Sequence, residues 1–217
     1  KKLKPERFLY PLENHSFEKL MNFALQKLSP STKRIGFQHA AVIQKLYNYF
    51  PGPAEQTLPI YPHKIVTVGE RPKKILETLA HFPAGTIQAG CALRHQYLFD
   101  LKPQKRSEKK AALALFSVGF EETNELYIML DQALGQQKDI TLYLRFHHLL
   151  NADKYAESKG LKYAPPYLVA DTMPLGELLE KVDACIYSET SVCLDALLKG
   201  IPIIHAQLDR VYNNDPV

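Results

Sequence analysis

Cysteine is scarce in this chain. Three residues among 217, Cys91, Cys185 and Cys193, are odd in number and far apart. That favours buried free thiols in a reducing compartment over disulfides. None of them groups with histidine at structural-zinc spacing. Long apolar runs are also missing: no stretch approaches the roughly 18 residues that would span a bilayer. The opening KKLKPERFLYPLENHS has basic residues but no apolar core behind them, so it is not read as a secretory leader. The start at Lys1, without Met, reads as an internal stretch of a longer protein. The 10 glycines form neither GxGxxG nor GxxxxGK[ST], which argues against ordinary NAD enzymes and P-loop NTPases. A net charge of +4 suits anionic ligands or an anionic membrane surface and is too modest for a nucleic-acid partner.

What is present is alternation. Short apolar runs at 7–10, 34–37, 64–69 and 86–93 read as strands, and again at 112–118, 140–146, 167–171, 183–188 and 201–206. Between them lie helical periodicities. Phe17, Leu20, Met21, Ala24 and Leu28 predict one apolar helix face behind a Ser16 N-cap. Further helices are predicted over 71–81, 121–135 with Gly135 as the stop, 174–182 and 192–200. Near-continuous apolar strands alternating with helices predict an α/β fold with parallel sheets covered on both faces. The segment LKPQKRSEKK (101–110) has five basic residues in ten and reads as a solvated linker. It divides a first domain, 1–103, from a second, 104–217.

In such sheets ligands gather at the carboxyl ends of the strands. Polar groups stand at five of those ends: Glu13 to Ser16, Gln38-His39, Ser117 to Glu122, Arg145 to His148, and Ser188 to Ser191. Helix capping alone accounts for Ser, Thr, Asp and Glu in any one of these turns. It does not call for His or Arg. Thr190 and Ser191 can donate to phosphate oxygens at a helix start, whereas the Glu189 carboxylate would cap, meet a sugar hydroxyl or point away. His147 can donate to a phosphate or a leaving group, and Arg145 can hold a phosphate with its fork of N–H groups. His39 and Glu13 are rival general bases.

Four segments carry a resemblance. YPLENHSFEKL, RIGFQHAAV, KIVTVGE and QAGCALRHQYLF resemble, in this order, a family of bacterial surface carbohydrate biosynthesis proteins, glycosyltransferases of the GT-B architecture. Phe17 stands where that family usually has Trp, and Phe37 where it has Tyr. The stretch DTMPLGELLEKVDACIYSETSVCLDALLKGIPII is similar to the donor half of GT-B enzymes generally, with Thr190-Ser191, the acidic Asp195 and Gly200-Ile201-Pro202 as the recurring features. His147-His148 stands where more distant capsule transferases carry a His-Pro pair.

The resemblance implies two Rossmann-like domains, the first incomplete in this chain. It implies a nucleotide-sugar donor carried mainly by the second domain and an envelope polysaccharide or lipid-linked glycan as acceptor. Ser117, Glu121, Arg145 and His147 would then line the donor site together with Ser188, Glu189, Thr190 and Ser191, with His39 or Glu13 as base and neither metal nor other cofactor. The protein would be cytoplasmic; the charge of the basic segment offers contact with the inner membrane as a second reading beside that of a solvated hinge. Two rival readings share the plan: a sugar-nucleotide 2-epimerase, which needs no acceptor, and a non-catalytic scaffold in polysaccharide assembly.

Overall fold

Nine parallel strands form two separate sheets in the computed structural model, which describes residues 5–43, 45–100, 110–208 and 215–217. The chain divides into two compact units, Lys1–Arg94 and His95–Val217. The expected boundary at 103/104, and all of the basic segment except Lys110, lie outside the described residues.

The first unit runs β1 (Arg7–Leu12), α1 (Ser16–Leu28), β2 (Lys33–Gln38), β3 (Lys64–Thr67), α2 (Glu70–Leu79) and β4 (Ile87–Ala89). Its strands lie in the order β1-β2-β3-β4. Tyr10, Leu12 and Ile65 pack with Leu76 of α2 and Met21 of α1, so both helices cover the same face. That follows from consecutive right-handed crossovers, which all deliver their helices to one side. The expected apolar face of α1 is not its packed face. Phe17, Leu20 and Leu28 are exposed, whereas Glu18 and Asn22 are buried. The polar residues win because their partners are buried with them. Asn22 donates to the Tyr10 hydroxyl at 2.7 Å, and the Arg34 guanidinium donates to the Asn22 carbonyl at 2.7 Å. Burial pushes the Tyr10 phenol up to about 12, so it stays a neutral partner.

The N-cap also differs from expectation. His15 holds that position with extended backbone, and Ser16 is already helical. The exposed start of the helix is fastened instead by Glu18, whose carboxylate reaches back to accept from Glu13 N–H at 3.2 Å and Asn14 N–H at 2.9 Å. This is the returning half of a capping box, shifted outward. It holds Asn14 at φ 59, a left-handed conformation that Asn tolerates better than most residues.

The second unit runs β5 (Lys110–Leu115), α3 (Phe120–Leu134), β6 (Ile140–Arg145), α4 (Ala152–Lys159), β7 (Tyr167–Val169), α5 (Leu175–Leu179), β8 (Ala184–Tyr187), α6 (Cys193–Leu198) and β9 (Ile203–His205). The sheet order is β7-β6-β5-β8-β9. Alternate strand residues feed two cores. Leu113, Leu115, Cys185 and Tyr187 pack under α5 and α6, with Leu178, Cys193 and Ala196. Ala114, Leu142, Leu144 and Ile186 pack under α3 and α4, with Leu126, Leu130 and Tyr155. Both faces are covered, as apolar parallel strands require. Gly135 ends α3 as expected, but with an ordinary right-handed φ of −60. Its need is space: a Cβ there would meet the Asp131 carbonyl at 2.6 Å and the Tyr167 hydroxyl at 3.0 Å. Cys185 and Cys193 are buried thiols, pushed up to about 12 by burial, while Cys91 is exposed.

Replacing Glu18 by Ala leaves two backbone N–H groups at the mouth of β1 without their acceptor. The expected loss is about 1–3 kcal/mol, read as a lowered urea midpoint. Asn14→Gly, which keeps the left-handed backbone, is expected to lose less than Asn14→Ala.

Candidate functional site

Strand register decides which turns meet. In the first unit Leu12 pairs with Gln38, so the next residues on each chain, Glu13 and His39, stand side by side at the carboxyl ends of β1 and β2. Glu13 Oε1 lies 3.2 Å from His39 Nε2, and its other oxygen lies 2.9 Å from His15 Nε2. The two residues read as rival bases are therefore partners, and His15 is a third member that the sequence reading left as part of a helix start. All three side chains are between about a third and a half exposed.

Buried groups hold this cluster in place. The Tyr49 hydroxyl donates to Leu12 O at 2.9 Å, and Asn48 donates to the Glu13 carbonyl. Fully buried Gln38 accepts from Val68 N–H at 3.0 Å and donates to Ala40 O. It ties the turns after β2 and β3 together. An imidazole whose Nε2–H points at a carboxylate presents Nδ1 as a proton acceptor, and the carboxylate stabilises the imidazolium that forms.

In the second unit the order β7-β6-β5-β8-β9 reverses direction at β5. The chain leaves β5 towards β6 and β7, then returns to β8 on the other side. The crevice outside the carboxyl ends of β5 and β8 is thus the topological switch point, where ligands of open α/β sheets bind. Leu115 pairs with Tyr187, which brings the turn starting at Ser117 beside the turn starting at Ser188. Both serines are buried. Ser117 Oγ accepts from Gly119 N–H at 3.3 Å. Among the described residues the Ser188 hydroxyl has no hydrogen-bond partner, although Ser188 is only 2% exposed. A buried hydroxyl left unpaired costs free energy and calls for an explanation.

The rest of that turn is partly engaged. Thr190 Oγ1 accepts from Val192 N–H at 3.3 Å, which leaves its own O–H able to donate. The N–H groups of Cys193, Leu194 and Asp195 already meet the carbonyls of Thr190, Ser191 and Val192. These N–H groups are thereby engaged: α6 is short and its first turn is closed tightly. A phosphate at this turn would be met by hydroxyls. Glu189 and Ser191 are half-buried in the same turn. Glu121 is exposed in the first turn of α3 beside Glu122. Two carboxylates favour that helix end and disfavour an anion at it.

One nitrogen of the Arg145 guanidinium is already engaged. Its Nη1 donates to Met173 O at 2.6 Å and Ala170 O at 3.3 Å, bracing the loop between β7 and α5. His147, just beyond β6, accepts from Leu149 N–H through Nδ1 at 3.3 Å, which leaves Nε2 to carry the hydrogen of the neutral ring. Burial, with His148 alongside at 4.2 Å between ring centres, holds His147 below the usual imidazole range. His205, absent from the sequence reading, ends β9 with Nε2 3.2 Å from the Ser188 carbonyl. At the opposite, amino end of the sheet a groove of about 470 Å³ is lined by Lys138, Thr141, Pro166 and Tyr167 among others.

No family model matches the chain, and no curated protein matches it. Solved structures do. The S. aureus protein MnaA in complex with UDP superposes with a TM-score of 0.61 at 12% identity, over 98% of this chain and 59% of its own. The calicheamicin glycosyltransferase CalG4 gives 0.52 at 14%, over 94% and 55%. The wall teichoic acid polymerase TagF soaked with CDPG gives 0.50 at 14%, over 92% and 52%. This chain spans between 52% and 59% of the length of those structures. At such identities the likeness is one of fold, and the fold is α/β with two Rossmann-like parallel-sheet units of the GT-B type.

Proposed function

We propose that this chain carries the donor half, and part of the acceptor half, of a glycosyltransferase that moves a sugar from a nucleotide-sugar donor to an envelope polysaccharide or lipid-linked glycan. The observation that carries the reading is the buried, unpartnered Ser188 hydroxyl at the β5–β8 switch point, next to the Ser117 turn. A turn of the Ser188 side chain towards the crevice would let a polar ligand supply the missing hydrogen bond. Support for a nucleoside diphosphate as that ligand comes from the solved structures of like fold, one holding UDP and one soaked with CDPG.

On this reading the hydroxyls of Ser188, Thr190 and Ser191 donate to the pyrophosphate, and His147 adds its Nε2–H. The acceptor hydroxyl gives its proton to His39, with Glu13 holding the resulting imidazolium. The acceptor oxygen bonds to the anomeric carbon as the bond from that carbon to the pyrophosphate oxygen breaks. The nucleoside diphosphate leaves with the electron pair. Proton and charge are both accounted for by residues of this chain, and the reading assigns no metal or other cofactor. No helix among the described residues is long and apolar enough to cross a membrane. The basic stretch from Lys102 to Lys110 is a sequence-level means of meeting an anionic inner leaflet beside a lipid-linked acceptor.

Calorimetry with UDP-, GDP-, CDP- and CMP-sugars tests donor binding first. Ser188→Ala is expected to weaken the bound donor about tenfold, near 1.4 kcal/mol, while leaving the melting temperature unchanged or slightly raised. A hydroxyl with a structural partner would behave the opposite way. His39→Ala is expected to lower kcat by about 10²–10⁴ with donor affinity intact. No binding at millimolar donor would favour the scaffold reading, and conversion of a UDP-sugar without acceptor would favour the epimerase.

Donor affinity is also expected to depend on pH. A bound pyrophosphate raises the His147 value above its lowered free-state position, so binding takes up a proton. Affinity should rise as pH falls through the bound-state value and level off below the free-state value. A UDP-sugar is the right probe because its pyrophosphate diester does not titrate there. His147→Gln should flatten the slope.

A further inference from the structure

The stretch QAGCALRHQYLF carries much of the family resemblance, yet the proposed reaction leaves it without a role. The structure supplies one. His95, Tyr97 and Leu98 lie in the 3₁₀ segment Leu93–Asp100 and belong to the second unit. His95 Nδ1 lies 2.9 Å from Asp195 Oδ1, and the Tyr97 hydroxyl donates to the same oxygen at 2.9 Å. Asp195 is 2% exposed and His95 7%. Leu98 packs into the same core cluster as Cys193 and Ala196. Residues separated by nearly a hundred positions thus grip α6 by one carboxylate and one apolar side chain.

The placement of Asp195 is what matters. It sits in the first turn of α6, whose N-terminal side runs directly into Thr190, Ser191 and Val192. On its other side the same turn follows β8 and is tied to β9 through the Ser188 carbonyl, which meets His205. The turn is therefore held between a strand and a short helix of six residues. A helix this short gains little from its own hydrogen bonds and depends on tertiary contacts for a defined position. Buried charge-assisted hydrogen bonds are directional and costly to break, which suits them to fixing position.

We propose that Asp195 is a positioning residue, which clamps the His95–Leu98 segment onto α6 and so sets the hydroxyls of the Ser188–Ser191 turn for the donor pyrophosphate. This rests on the donor reading of the β5–β8 crevice. The role is one of position and not of contact with the nucleotide itself. Asp195 is enclosed, and its Oδ1 already receives two hydrogens from this chain.

Two measurements on the whole protein separate the possibilities: amide hydrogen exchange over residues 190–194, and calorimetric titration with UDP. Asp195→Ala is expected to speed exchange across those amides and to weaken UDP about tenfold, whereas Asp195→Asn, which keeps an oxygen for both donors, stays within about threefold of the parent. Tyr97→Phe removes one hydrogen bond and should give an intermediate effect, and it serves if Asp195→Ala does not fold. A lower melting temperature with unchanged exchange over 190–194 and unchanged UDP affinity would overturn the positioning role. If the parent protein binds no UDP or other nucleotide, the donor reading falls and the clamp loses its link to a pyrophosphate. The exchange data would still show whether the clamp orders the turn.

Discussion

The pairing of β5 with β8 is the constraint on which the rest depends. Those two strands are neighbours in the sheet although α3, β6, α4, β7 and α5 intervene in the chain. Their ladder, Ala112 to Ala184 through Leu115 to Tyr187, does two things at once. It sorts alternate side chains into the two cores, so that a one-residue slip would turn Leu113, Leu115, Cys185 and Tyr187 out of the α5–α6 core. It also brings the Ser117 and Ser188 turns to the same level. The apolar energetics that fix the register thereby fix the geometry of the polar crevice above it.

The first unit follows the same logic with different interactions. Its strands are likewise parallel and in register, but one helix is seated by buried polar groups. Tyr10, Asn22 and Arg34 form a small network beside the apolar cluster. Glu18 fastens the start of that helix to the turn that carries Glu13. Rigid placement of an exposed carboxylate and two imidazoles follows from buried neighbours that never touch a ligand. In both units the candidate groups lie on short turns, and a fully formed sheet holds those turns.

Much of the fold was legible in the sequence. Runs such as KIVTVG and ITLYLRF are apolar on both faces, and alternation with helices leaves little besides parallel α/β units. Of the second unit's helices, α3, α5 and α6 were placed to within a few residues, whereas the stretch 148–159 that holds α4 reads equally as helix or loop. The face of α1 was not legible. Periodicity counts apolar residues, and nothing in the pattern reveals that Glu18 and Asn22 have buried partners at Glu13 and Asn14, and at Tyr10 and Arg34. The strand-end rule picked out the turns after β1, β2, β5, β6 and β8, because that rule needs only element order, and it passed over His205 at the end of β9. It could not say which turns are neighbours. The meeting of Glu13 with His39 depends on register, and that of Asp195 with His95 on the path of a segment no local signal describes. His15 had a faint signal, a histidine two positions from a carboxylate at a strand end.

The central claim is that a nucleoside diphosphate binds at the β5–β8 switch point. It is tested most directly by titrating UDP, and then CDP and GDP, into isotopically labelled protein and following backbone amide shifts. The account predicts that the largest shifts fall at residues 117–119 and 188–192, with smaller ones near His147 and His205. Shifts centred on the groove at the opposite end of the sheet, around Lys138, Thr141 and Tyr167, or none with any of the three, would contradict it.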